Sequence, residues 1–406
     1  MKFTGSEHTR SFRIGLRGLL ACGLAVLLLG TCDQAPIFDM ISREVKPREP
    51  RIKGVPTKMV VFNRVSSGTE WGMYVADSSL HRYAKNAGGT ADWDEGDIPQ
   101  PPGDDIFDLA ATDACLYALV NVDSPKLYRF DRTNWTEVGF ASGNDGYSRF
   151  QVIYGECDSK GKPVSGNLYV GARNSSGAYA VFSTGSTGSL TRLGSATGLL
   201  TGAAYDGSSN HYISTEGGGV YQVSGSSATV VSNTSGLSVT GMIQINDSSP
   251  VKIIALCGNG DLYTVSGLGA TKVGNAGITL TGGAAVWTDG AATPTTLLLL
   301  AVRSSASVSN STYGYREIVL SSGALPANPS VKEPGTAPST VDDNKRYRDT
   351  IEPKPVNAIL QAPDEIDASR VLFASVQGRG TARDNTDGGL WSYRPRSGVN
   401  QWNAEE

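Results

Sequence analysis

The chain has 406 residues, 39% hydrophobic and 18% charged, with 49 glycines and a formal net charge of −4. Many glycines and few charges favour short strands joined by tight turns over helices, whose interiors penalise glycine. The mildly acidic balance excludes a general nucleic-acid binder, which needs a basic footprint to neutralise phosphates.

The first element is an export signal. Residues 1–18 carry Lys2, Arg10, Arg13 and Arg17, and LLACGLAVLLLG follows at 19–30. Those apolar and small residues are too few for a membrane-spanning helix, which needs about 20. They fit the apolar region of a secretory signal. Leu29-Gly30-Thr31-Cys32 then supplies a lipobox-like ending, in which the cysteine thiol receives diacylglycerol. Thr31 is larger than the small residue usual before that cysteine. Leu19-Leu20-Ala21-Cys22 matches the residue types better, but Arg13 and Arg17 stand where an apolar region should precede it. Cys32 is therefore the expected lipidation site. Cys22, an uncleaved anchor and a non-lipidated signal are the alternatives. Loss of residues 1–31 removes four basic residues and one acidic one, taking the body from −4 to −7.

Residues 32–57 are rich in proline and charge and lack sustained periodicity, which suits a tether. The stretch PIFDMISREVKPREPRIKG behind Cys32 resembles the opening of treponemal (spirochaete) lipoproteins, over the first sixty residues only. The resemblance implies a cell-envelope protein held to a membrane through its N-terminal diacylglycerol, on the periplasmic side or at the cell surface. Asp33 does not decide between them, because spirochaetes do not reliably follow the enteric retention rule.

From Lys58 to the C-terminus a four-strand pattern repeats. KMVVFNRV, WGMYVAD and LHRYAK open it, with a weak fourth strand near Trp93. IFDLAATD, CLYALV, KLYRFD and WTEVG form the clearest unit. Next come RFQVIYGECD, NLYVGAR, GAYAVFST and SLTRLG, then LLTGAAYDG, HYISTE, GVYQVS and ATVVS. SVTGMIQIND, VKIIALCG, DLYTVSG and ATKVG follow. The sixth unit has TLTGGAAVWTD, TLLLLAV and GYREIVLS with no clear fourth strand. The seventh has VNAILQAP, RVLFASVQ, GGLWSYRP and VNQWNAE. Each piece has β-branched or aromatic character and is bounded by turn residues. Third strands start near Leu80, Leu127, Ala178, Val220, Leu262, Tyr315 and Leu390, a period of about 40–50 residues with one longer last step.

This predicts an all-β, seven-bladed β-propeller of four-stranded antiparallel blades over 58–406, behind a signal peptide (1–31) and a lipidated tether (32–57). A β-sandwich pair and a β-solenoid are the competing architectures. The body resembles quinoprotein and NHL propellers in pattern only. The last unit ends on its own fourth strand, so the ring should close by packing of the first unit against the seventh. A strand from the N-terminal segment completing one sheet is the alternative.

No catalytic signature is present: GxSxG, HExxH and GxxxxGK[ST] are all missing. GECDSKGK at 155–162 reads as a turn after a strand, and GNGDLY at 258–263 as a turn feeding one. His81 and His211 lie in different units and read as packed or surface histidines. Cys115, Cys157 and Cys257 sit in or beside apolar runs, either as free thiols or with a Cys115–Cys157 bridge. No metal site or cofactor is expected.

Long second-to-third-strand loops occur only in the last two units, at 303–313 and 377–387, with an insertion at 324–355 between them. They would gather Arg303, Tyr313, Lys345, Arg346, Tyr347, Arg348, Arg379 and Arg383 into a basic patch on an acidic protein, suited to an acidic protein or a glycan. A solvated insertion with no ligand is the plainer explanation. The leading functional expectation is a lipid-anchored binding or scaffold module. The alternative is a hydrolase or lyase acting on glycans or lactones in the central funnel.

Overall fold

A computed structural model describes residues 52, 54–65, 70–94, 99–141, 146–184, 188–246, 250–287, 296–302, 314–320, 325–332, 355–377, 389–396 and 399–405. All belong to one compact unit, Pro50–Glu406. Among them no helix is long and apolar enough to cross a membrane.

The described residues form successive antiparallel sheets, each made of consecutive strands. The first contains β1 (Met59–Asn63), β2 (Trp71–Ala76), β3 (Leu80–Lys85) and β4 (Ala91–Trp93). The second contains β5 (Ile106–Ala111), β6 (Leu116–Val120), β7 (Lys126–Phe130) and β8 (Trp135–Val138). The third contains β9 (Tyr147–Cys157), β10 (Pro163–Asn174), β11 (Tyr179–Thr184) and β12 (Leu190–Arg192). The fourth contains β13 (Leu200–Tyr205), β14 (His211–Thr215), β15 (Gly219–Ser224) and β16 (Ser227–Val230). The fifth contains β17 (Val239–Ile245), β18 (Lys252–Cys257), β19 (Asp261–Ser266) and β20 (Gly269–Asn275). The sixth has only β21 (Leu280–Trp287), β22 (Thr296–Val302) and β23 (Tyr315–Val319). The last contains β24 (Val356–Gln361), β25 (Leu372–Val376), β26 (Gly389–Arg396) and β27 (Val399–Ala404).

This is an all-β propeller of four-stranded antiparallel blades. Among the described residues six sheets have the four strands expected of each blade and the sheet β21–β23 has three, so the prediction of seven four-stranded blades is corrected to six. Beside β23, Lys332 forms a single antiparallel bridge to Glu317, with two backbone bonds of 2.8 and 2.9 Å. That pair stands where a fourth strand would run.

First strands neighbour one another around the ring, from β1 through β5, β9, β13, β17 and β21 to β24 and back to β1. Core clusters lie between sheets, as radial packing demands: one joins Leu119 and Leu127 of the second sheet to Ile153 and Phe182 of the third. Neither sheet face could stay buried alone.

Two backbone devices recur in the first strands. A bulge shifts the register just after Ile106, Leu200, Val239, Leu280 and Val356. Bulges increase local twist and bend the strand. Glycine then permits close approach: a Cβ at Gly155 would lie 1.9 Å from the Ala111 carbonyl oxygen, and one at Gly241 would lie 2.3 Å from that of Thr281.

The folded body begins before Lys58. Ile52 is buried in a cluster shared by the first and last sheets. The Gly54 N–H donates to Asp77 Oδ2 at 3.3 Å, and the Pro56 carbonyl accepts the Ser375 hydroxyl at 2.5 Å. The final stretch of the expected tether is thus part of the ring.

Candidate functional site

The first strands surround a central cavity of about 670 Å³. At one mouth the lining consists of strand starts and bulge residues: Thr57, Phe107, Thr201, Thr240, Thr281 and Asn357. Their hydroxyls are spent within the ring. Thr57 Oγ1 donates to the Phe107 carbonyl at 3.1 Å, Thr240 Oγ1 to the Leu280 carbonyl, and Thr281 Oγ1 to the Val356 carbonyl at 3.4 Å. Each bond joins one sheet to the next, and the side chains that rim this mouth among the described residues are uncharged.

The wall holds one ion pair. Lys58 Nζ donates to Asp108 Oδ2 at 2.9 Å and to the Ile153 carbonyl, and lies 3.5 Å from the centre of the Tyr154 ring. Asp108 also accepts the N–H groups of Ile153, at 2.8 Å, and Leu109, at 3.0 Å. The pair therefore ties the starts of the first two sheets to the middle of β9 in the third. Burial pushes the Lys58 pKa down, and Asp108 offsets part of that shift. The other titratable groups among the described lining are Tyr154, Cys157 and Asp158.

The opposite mouth is crossed by the turn of the β9–β10 hairpin. This turn, Asp158–Lys162, is fixed internally by Asp158 Oδ1, which accepts the Lys160 and Lys162 N–H groups at 2.9 Å each. Although it belongs to the third sheet, its tip reaches the first and last. The Gly161 carbonyl accepts the Val61 N–H at 3.1 Å, and Gly161 packs against Val61 and Leu360. Lys162 pairs with Glu365 at 2.5 Å and lies 5.1 Å from the Trp71 ring centre. Burial raises the Asp158 pKa. GECDSKGK is a turn after a strand, as its sequence predicts, but one mounted on strands of 11 and 12 residues.

Below that turn lies a buried carboxylate. Glu156 is fully buried and accepts hydrogen bonds from the Tyr169 hydroxyl at 3.0 Å and the Ser165 hydroxyl. His211 Nδ1, from the fourth sheet, lies 2.9 Å from both of its oxygens and 3.1 Å from Asn167 Nδ2. The His211 ring stacks on Tyr205 at 4.7 Å. The bond to Glu156 raises the His211 pKa, against the opposing effect of burial. His81 meets Asp77 Oδ1 at 2.8 Å. Both histidines are packed against carboxylates, in keeping with their sequence reading.

Cys115, Cys157 and Cys257 are free thiols, so Cys115 and Cys157 are not bridged. Burial raises all three pKa values, Cys257 to about 11. Cys32 and every member of the expected basic patch (Arg303, Tyr313, Lys345, Arg346, Tyr347, Arg348, Arg379 and Arg383) lie outside the described residues.

Lys58, Asp108 and Glu156 were not singled out by the sequence. The recurring Leu/Val-Thr-Gly at 200–202, 239–241 and 280–282 was a usable signal, since each marks a first-strand bulge facing the channel.

No protein-family model matches the chain, and no curated protein matches it. Among solved structures, it is similar to YCF48 bound to a D1 peptide, at 10% identity and a TM-score of 0.41 over 87% of this chain and 97% of that one. It is also similar to the BBS1 N-terminal fragment in complex with ARL6, at 9% identity and a TM-score of 0.45 over 85% and 94%. YCF48 from Cyanidioschyzon merolae matches at 11% and 0.43 over 86% and 99%. Likeness this distant carries no residue role or partner across.

Proposed function

We propose that this protein is a lipid-anchored propeller of the cell envelope that serves as a rigid scaffold for a protein partner, engaged at the strand-start mouth of its channel. The observation that carries this reading is the asymmetry of the channel. One mouth is crossed by the β9–β10 turn; the other is rimmed, among the described residues, by uncharged side chains, three of which bond a backbone carbonyl of the next sheet. A rim with fixed geometry suits docking of a preformed segment with little ordering cost.

Three finer elements belong to the same proposal. The sheet β21–β23 is a seventh blade, with the Glu317–Lys332 bridge marking its reduced fourth strand. Diacylglycerol on Cys32 supplies the membrane attachment, on the periplasmic side or at the surface of a spirochaete-like cell. A glycan is the alternative occupant of the rim, because uncharged polar side chains and backbone groups also suit sugar hydroxyls.

Crosslinking of the native protein in cells tests the scaffold reading. A recurrent protein adduct that maps to the first-strand rim supports it. Adducts scattered evenly over the outer strands refute it.

A further inference from the structure

We propose that the β9–β10 hairpin is the latch of the ring: it holds the first and last sheets together from across the channel, in place of the strand exchange that other closed sheets can use. Each sheet here is built from consecutive strands, so no strand of one end completes a sheet of the other among the described residues. The seam between β1 and β24 is consequently joined by side chains and by whatever spans it from elsewhere.

The hairpin spans it. Val61 lies on β1 and Leu360 on β24, at the two sides of the seam, and Gly161 packs on both while its carbonyl bonds the Val61 N–H. Lys162 adds Glu365 on the far side and the Trp71 ring on the near side. The fit at the tip is close. A Cβ on Gly161 would lie 2.9 Å from Leu360 Cδ1, and its φ of +73° favours glycine as well.

The latch is also anchored at its root. Glu156, one residue before Cys157, is bound by Ser165 and Tyr169 of β10 and by His211 of the fourth sheet. Asp113 adds a backbone bond from the second sheet, its N–H donating to the Ser165 carbonyl at 3.0 Å. The hairpin is thus braced by the sheets on either side of it before it crosses the channel. A loop that merely turned the chain would need none of these contacts.

The test replaces residues 158–163 with Asn-Gly-Thr, whose threonine supplies the closing N–H that Pro163 lacks, which keeps the hairpin but withdraws its tip. Amide hydrogen exchange is read strand by strand. The latch predicts exchange about tenfold faster in β1 and β24, with β17, on the far side of the ring, unchanged. Wild-type protection in β1 and β24 would overturn it. If exchange rises everywhere, the single variant Lys162→Glu decides the matter: seam exchange that rises and is restored in Lys162→Glu/Glu365→Lys supports the latch, and seam exchange that does not move overturns it.

Discussion

The Tyr83 hydroxyl donates to Asp367 Oδ2 at 2.6 Å, joining residues 284 positions apart. It is one of several bonds by which the first and last sheets meet. Trp93 Nε1 donates to Glu405 Oε2 at 2.6 Å, and Glu405 also accepts Ser392 and Arg394. Phe373 packs against both Tyr83 and Trp93, with ring centres 5.0 and 5.9 Å away. These residues pack the first sheet against the last.

Removing the Tyr83 hydroxyl should leave the Asp367 carboxylate short of a donor in a buried setting. Tyr83→Phe is expected to cost about 1–3 kcal/mol, and Trp93→Phe a similar amount through Glu405. Denaturant melts of the two variants and their combination check this. Simple additivity would show that the two bonds act independently.

The channel ion pair makes a sharper prediction. Asp108→Ala leaves Lys58 buried without its counter-charge and should cost about 3–5 kcal/mol. Lys58→Met/Asp108→Leu removes both charges and should recover much of the loss. The lowered Lys58 pKa adds a pH signature: between the folded value and 10.5 the unfolded chain binds more protons, so this group makes stability rise with pH there. The rise should be absent in Lys58→Met, as read by unfolding midpoints across the alkaline range.

His211 has the opposite sign. Its folded pKa is raised, so its contribution is complete below 6.5 and is lost as pH climbs through the folded value. The stability gap between wild type and His211→Gln should therefore be wider at about pH 6 than at about pH 9. A gap that grows with pH would remove the Glu156 bond as its cause.

Gly155 offers a steric test. Gly155→Ala drives a Cβ into the Ala111 carbonyl and should cost about 3 kcal/mol or more. Gly267→Ala, where a Cβ meets nothing within 4 Å, should lose only the strain of its positive φ. Comparing their melting temperatures separates crowding from backbone strain.

Much of the fold was legible in the sequence. Third strands begin within one residue of the starts read from the Tyr-rich repeats, because alternation and turn residues report strand position directly. The missing features depend on distance in the chain. Nothing in GECDSKGK says that its tip meets Val61 and Leu360, since those contacts come from curvature of the whole ring. Ile52 reads as tether because half of the cluster that buries it, Phe373 included, lies more than 300 positions later. Glu156 was unreadable for a similar reason: its partners come from two sheets.

Scaffold function places a protein partner at the strand-start mouth. Photocrosslinking in cells with p-benzoylphenylalanine tests it most directly, placed at Phe107 on the rim and at Leu268, which is 52% exposed on an outer turn. Scaffold function predicts a discrete protein adduct from Phe107 and none from Leu268. No adduct at Phe107, or the same adducts at both positions, would contradict it.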